Sequence, residues 1–199
     1  MLSALGNAFK IEELRNKILF VLAMIVVYRL GAHIPVPGID AQALQQFFQG
    51  SGVLGFLDMF AGGALRRFTI FAMSISPYIT SSIIMQLLTI VIPKLEELSK
   101  QGQEGQKVIN RYTRYATVVL GLIQGTGITM MIKNYGAIAN PNFFNLATVV
   151  ITLTAGTVFL MWLGEQITDK GIGNGISIII FSSIISRFPS ALINNFKAL

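Results

Sequence analysis

The sequence predicts an all-α integral membrane protein with five transmembrane helices and one short re-entrant half-helix. Three observations predict it. Hydrophobic residues make up 53% of the 199 residues and charged residues only 12%, about half the charged share of a soluble domain. Long apolar runs, several near the roughly 20 residues a bilayer-spanning helix needs, alternate with polar or Pro/Gly-bearing segments. One apolar piece, Gly52–Leu65, is too short to span and carries Gly52, Gly55, Gly62 and Gly63. At membrane depth such a piece is tolerated only against protein or a water-filled cavity. All 199 residues read as a single membrane domain.

The first span runs over about Ile18–Ile34, with Arg29 and His33 near its far end, where long side chains snorkel to the interface. Pro35, Pro37 and Gly38 stop it. Lys10, Arg15 and Lys17 ahead of the apolar run imitate a secretory signal. No small-residue cleavage site follows and four more spans do, so it reads as a start-transfer helix. An irregular segment, Asp40–Gly50, leads to the half-helix. Arg66 and Arg67 separate that piece from the second span, Phe68–Ile92, which holds no charge, contains Pro77 and is closed by Pro93. A polar loop is expected over Lys94–Arg111. The third span, Tyr112–Ile132, opens on Tyr112 and Tyr115, aromatic residues suited to the headgroup level. Lys133–Asn145 reads as a turn-rich loop, Leu146–Leu163 as the fourth span and Gly164–Gly175 as a Gly-bearing loop. The fifth span, Ile176–Ile185 with flanks that extend it over about 174–189, is short.

The formal charge of +6 lies mostly between apolar runs, which reflects orientation and anionic lipid rather than nucleic acid. With the N-terminus inside, nine Lys/Arg fall on the inner side and six on the outer. That bias predicts a cytoplasmic N-terminus and places residue 199 outside.

Catalysis is disfavoured. There is one His and no Cys, and neither a zinc-protease helix nor a nucleophile elbow is present. His33 reads as an interfacial histidine sooner than a proton relay. Glu165 and Asp169 stand four apart beside a glycine-bearing stretch, as a solvated or partner-binding loop sooner than an acid/base pair. Asp58 is the acid within the short apolar piece, placed to cap backbone or to pair with Arg66 or Arg67. The run Gly171–Gly175 follows no strand, so a phosphate loop is disfavoured. Ile75 and Ile79 share one helical face around Pro77, a spacing that by itself means ordinary packing. Thr80, Ser81, Ser82 and Gln86 on the same span suit close helix contact, and equally a seam that opens.

Several runs together resemble a known family, the SecY subunits of the protein-translocation channel, over their N-terminal half. They are Tyr28–Gly31 with Ile34–Ile39, Gly62–Leu65, Ile70–Ile79, Arg111–Tyr115 and, most specifically, Met161–Thr168 with Gly171–Ile180. The resemblance covers residues 8 to 189. It implies one five-span half of a ten-helix inverted-repeat channel, with a second, C-terminal half as a partner outside these 199 residues. Gly55, Phe56, Leu57, Asp58, Met59, Phe60, Ala61, Gly62, Gly63, Ala64 and Leu65 then correspond to the plug. Ile75, Ile79 and Ile180 correspond to this half's share of an apolar pore ring, which resists wetting yet yields to a polypeptide. Thr80, Ser81, Gln86 and Gln124 are candidates to line the lateral gate, through which signal or transmembrane segments leave sideways into lipid. The implied function is passage of unfolded secretory polypeptides across the bacterial plasma membrane. Implied partners are SecE and SecG-like small subunits, the SecA motor ATPase, the ribosome, signal sequences and membrane lipid. No cofactor or metal is implied. Half of a secondary solute transporter is the alternative, disfavoured because the midplane stretches hold almost no ionisable groups.

Overall fold

The computed structural model describes residues 11–40, 43–44, 58 and 61–186. Among them are six helices: α1 (Glu12–Gly31), α2 (Ser76–Val91), α3 (Pro93–Lys100), α4 (Gln103–Asn134), α5 (Phe143–Lys170) and α6 (Gly175–Ile185). The described residues hold two isolated antiparallel bridges, Pro35 with Thr69 and Ile39 with Ile138.

α1 carries Glu12 and Glu13 in its first turn and Arg29 in its last, complementing the helix dipole. Lys17 reaches back one turn to Glu13 at 2.7 Å. α4 and α5 form the regular part of the bundle. The buried positions of α4 include Gly105, Ile109, Thr113, Thr117, Gly121, Gly125 and Thr129, an unbroken four-residue series. Such a row is a ridge along one face, and small residues on it let a neighbouring backbone come close. Thr154 of α5 sits there: a Cβ on Gly121 would lie 3.3 Å from its methyl group. The buried threonine hydroxyls bond back to their own helix, Thr113 to the Ile109 carbonyl at 3.0 Å and Thr117 to the Thr113 carbonyl at 2.7 Å. They therefore bury no unpaired donor.

The second span differs from expectation. Helix begins at Ser76, not Phe68, with Pro77 at its start, where the missing N–H costs no helical bond. Residues 61–75 form a chain of turns, and Phe68 and Ser74 take left-handed φ values of 45° and 53°. At its other end Pro93 opens α3, bent 101° from α2. The expected polar loop Lys94–Arg111 is helical almost throughout, as α3 and the start of α4. α5, the expected fourth span, likewise continues past Leu163 to Lys170, taking in much of the expected Gly164–Gly175 loop. In both places a helix runs on beyond the apolar run, because backbone bonds and i,i+4 pairs such as Lys100–Glu96 at 2.6 Å continue into water.

α4 and α5 are each long and apolar enough to cross a membrane, and the bent α2–α3 pair passes the same test when taken as one span. α6 is a shorter apolar helix of 11 residues. Residues 187–189 of the expected fifth span lie outside the described residues.

Candidate functional site

Residues 61–75 run through the middle of the bundle, and each backbone group there needs a partner. Asp58, 1% exposed, begins the arrangement. Its Oδ1 accepts from the Arg66 backbone N–H at 2.8 Å, and its carbonyl accepts from the Gly63 N–H at 3.1 Å. Of the roles expected for it, capping is the one these bonds display. Gly62 and Gly63 have φ of 61° and 91°, a region glycine enters without a Cβ penalty. Further on, the Val36 N–H donates to the Phe68 carbonyl and the Ile70 N–H to the Ile34 carbonyl, both at 3.0 Å. The proline-bearing stretch after α1 therefore lies as a short ribbon beside residues 68–70. Thr157 of α5 donates its hydroxyl to the Ser74 carbonyl at 3.3 Å.

Phe71 locks the segment in place. A Cβ on Gly31 of α1 would lie 2.2 Å from the Phe71 ring, and one on Gly156 of α5 would lie 1.9 Å from the Ile70 carbonyl oxygen. Glycine at both positions makes room for the chain between the two helices. The Phe71 ring stacks between Tyr28 at 5.8 Å and Phe159 at 6.0 Å, and Phe159 contacts Trp162 at 5.7 Å. This aromatic column joins α1, the 61–75 segment and α5.

Around it lies one buried apolar cluster that includes Tyr28, Ala61, Ala64, Phe71, Ile75, Leu163, Ile167 and Ile179. Ala61 and Ala64 thus belong to the same cluster as Ile75, immediately before α2, and Ile179 of α6. Of the three isoleucines expected to act together, Ile75 is buried at 1% exposure, Ile79 is 37% exposed one turn later, and Ile180 is half-buried. Of the expected plug, Gly55, Phe56, Leu57, Met59 and Phe60 lie outside the described residues. Ser81 is fully buried on α2 with no hydrogen-bond partner for its hydroxyl. Thr80 is half-buried and bonds back to the Ser76 carbonyl at 3.0 Å. Gln86 is exposed and Gln124, on α4, half-buried. α2 and α4 pack directly against each other.

α6 is set by polar contacts at both ends. Asn174 caps it, accepting from the Ser177 N–H at 3.1 Å, and Thr168 accepts from the Gly175 N–H at 2.9 Å. A Cβ on Gly175 would lie 2.0 Å from the Gly164 carbonyl, so close packing accounts for a glycine there. At the other end Tyr28 Oη lies 2.5 Å from Ser183 Oγ, and the Arg29 guanidinium donates to the Ser182 carbonyl. Gly62 sits against the same turn: a Cβ on it would lie 3.2 Å from Ser183 Cα.

Two further candidates, His33 and Glu165, have structural partners. His33 Nδ1 lies 2.8 Å from the Arg29 carbonyl. Glu165 is on helix, not loop, and pairs with Arg114 of α4 at 2.7 Å. Among the described residues no three His, Cys, Asp or Glu gather to hold a metal ion. The sequence reading missed the Phe71 column and the contact of Tyr28 and Arg29 with α6. The available signals were glycines at positions 31 and 156 and a Ser182-Ser183 doublet in an otherwise apolar run.

The fold is that of the protein-translocation channels. A solved structure of Sec61 in the canine ribosome–channel complex from the endoplasmic reticulum superposes with a TM-score of 0.61 at 20% identity, over 87% of this chain and 36% of that one. The chain belongs to the SecY family, whose model matches residues 69–199. The protein translocase subunit SecY of Streptomyces scabiei is 51% identical over 207 residues, 96% of this chain and 47% of the relative. That of Staphylococcus carnosus is 48% identical, over 99% of this chain and 47% of the relative. The chain spans about half the length of the relatives it matches.

Proposed function

We propose that this chain forms one half of the wall of a protein-conducting channel, as a subunit of the translocase that passes unfolded secretory polypeptides across the membrane. The observation that carries the reading is the packing of Ala61 and Ala64 into one cluster with Ile75 and Ile179. In this reading residues 55–65 are the plug, seated on the pore wall in the resting channel. Ile75, Ile79 and Ile180 contribute to the pore ring. Branched apolar side chains offer water no hydrogen bond, so a narrow ring of them stays dry to ions while a polypeptide pushes them aside.

α1, α2 with the turns that precede it, α4, α5 and α6 with its flanks make five spans, and a C-terminal half supplies the opposite wall. Ser81 with Thr80, Gln86 and Gln124 line one side of the lateral gate, where signal or transmembrane segments pass into lipid. The Lys/Arg bias supports a cytoplasmic N-terminus, with residue 199 outside the bacterial plasma membrane. That orientation puts α3, with Lys94 and Lys100, and the start of α4, with Lys107 and Arg111, in the cytoplasm. Their exposed charges suit docking of SecA or the ribosome, and a ribosome complex is known for the Sec61 relative. SecE and SecG-like subunits complete the assembly.

Ile75→Gly with Ile79→Gly, in a channel completed by its second half, tests the reading. Planar-bilayer recordings are expected to show resting ion conductance that the unsubstituted channel lacks. Unchanged conductance would remove these residues from the ring.

A further inference from the structure

Tyr28 and Arg29 of α1 reach across 155 and 153 residues of sequence to the last turns of α6. Each hydroxyl has one proton to give. Ser183 Oγ donates to the Ile179 carbonyl at 2.9 Å, which leaves Tyr28 as donor in the 2.5 Å contact with it. The Ser182 carbonyl, which already receives the Ser186 N–H at 3.3 Å, is the acceptor for the Arg29 guanidinium. α6 has no basic residue in its own last turn, so α1 supplies the cation that the negative end of the helix favours. Ser183 is fully buried, and Gly62, at a φ of 61°, lies against its backbone. One turn of α6 therefore touches both α1 and the end of the plug segment, and Ile180 stands on the same short helix.

We propose that Tyr28 and Arg29 are positioning residues: their clasp on Ser182 and Ser183 holds α6 so that Ile180 keeps its place in the pore and Gly62 keeps its seat. Releasing the clasp moves the ring residue and the plug contact together. The proposal rests on the channel reading for the meaning of Ile180, while the clasp itself is testable apart from conduction.

The chain has no cysteine, so Ile180→Cys introduces a single thiol in it. In membranes carrying the chain with its completing half, labelling of that thiol by a membrane-impermeant maleimide is measured in the Tyr28→Phe, Ser183→Ala and doubly substituted backgrounds, beside the melting temperature of each. Loss of one hydrogen bond worth about 1 kcal/mol shifts an opening equilibrium about fivefold. Labelling is expected to quicken about that much in each single variant and by no more in the double, with melting temperatures lowered no further in the double than in either single variant. Unchanged labelling overturns the proposal. So do effects that multiply in the double variant, or equally quick labelling in Thr157→Val, which loses a comparable bond not made to α6, since both describe general loosening. If Ile75→Gly with Ile79→Gly conducts no ions while the labelling result holds, the clasp stands and the pore assignment falls.

Discussion

The α4–α5 pair and the 61–75 segment solve the same problem in different ways. Both bury backbone among apolar side chains. α4 and α5 satisfy their main-chain groups internally, and their fit depends on small residues repeated every four positions from Thr113 to Thr129. The 61–75 segment closes short turns within itself, such as the Thr69 N–H on the Ala64 carbonyl, and takes its remaining partners from others: Asp58 caps Arg66, Ile34 and Val36 pair with Ile70 and Phe68, and Thr157 reaches Ser74. A regular helix carries its bonds with it and tolerates change along its surface. An irregular segment depends on particular atoms of several neighbours, so it is sensitive to single atoms and able to rearrange.

Glycine substitutions break the comparison most sharply. Gly156→Val places side-chain atoms where the Ile70 carbonyl stands 1.9 Å from a Cβ. A main-chain atom yields little, so the variant is expected to lose about 3 kcal/mol or more and to accumulate poorly in membranes. Gly127→Ala, on an open face of α4 with nothing within 4 Å, is expected to be neutral or to gain up to about 1 kcal/mol. Thermal unfolding in detergent compares the two, and equal melting temperatures would dissolve the contrast.

A smaller effect is expected at Thr157. Thr157→Val keeps the shape and removes the hydroxyl that the Ser74 carbonyl receives. Stability is expected to fall by about 1–2 kcal/mol, measured by the same unfolding. Thr117→Val removes a hydroxyl bonded only to its own helix and is expected to cost less than half of that.

The smallest effect lies outside the membrane. The hydrogen bond and charge of Lys17 hold the Glu13 carboxyl below its ordinary value of 4.5. A lowered folded-state value means the contact favours the helix above the ordinary value and is lost as pH falls below it. Titration of Glu13 by NMR is expected to show this depression, and Lys17→Met to abolish it. Persistence of the depression in that variant would assign it to another cause.

Much of the frame was legible in the sequence. The apolar runs located α4 and α5, Pro93 marked the end of α2, and the glycines at 62 and 63 marked irregular backbone at membrane depth. The boundaries were less so. Hydrophobicity reports where a helix meets lipid, so it could not show that α4 begins at Gln103 or that α5 continues to Lys170. It also extended the second span back to Phe68, because an uncharged run looks alike whether it is helix or a packed chain of turns.

The sequence by itself therefore determined the class of protein, the long helices and the motifs that place the chain in its family. These are local properties, set by hydropathy and by the backbone limits of proline and glycine. Only the tertiary structure decided that Phe71 fills the space left by Gly31 and Gly156, that Ala61 and Ala64 join one cluster with Ile75 and Ile179, and that Tyr28 and Arg29 grip the end of α6. Those contacts join residues far apart in the chain. Their geometry depends on which helices become neighbours, and no spacing within one segment encodes that.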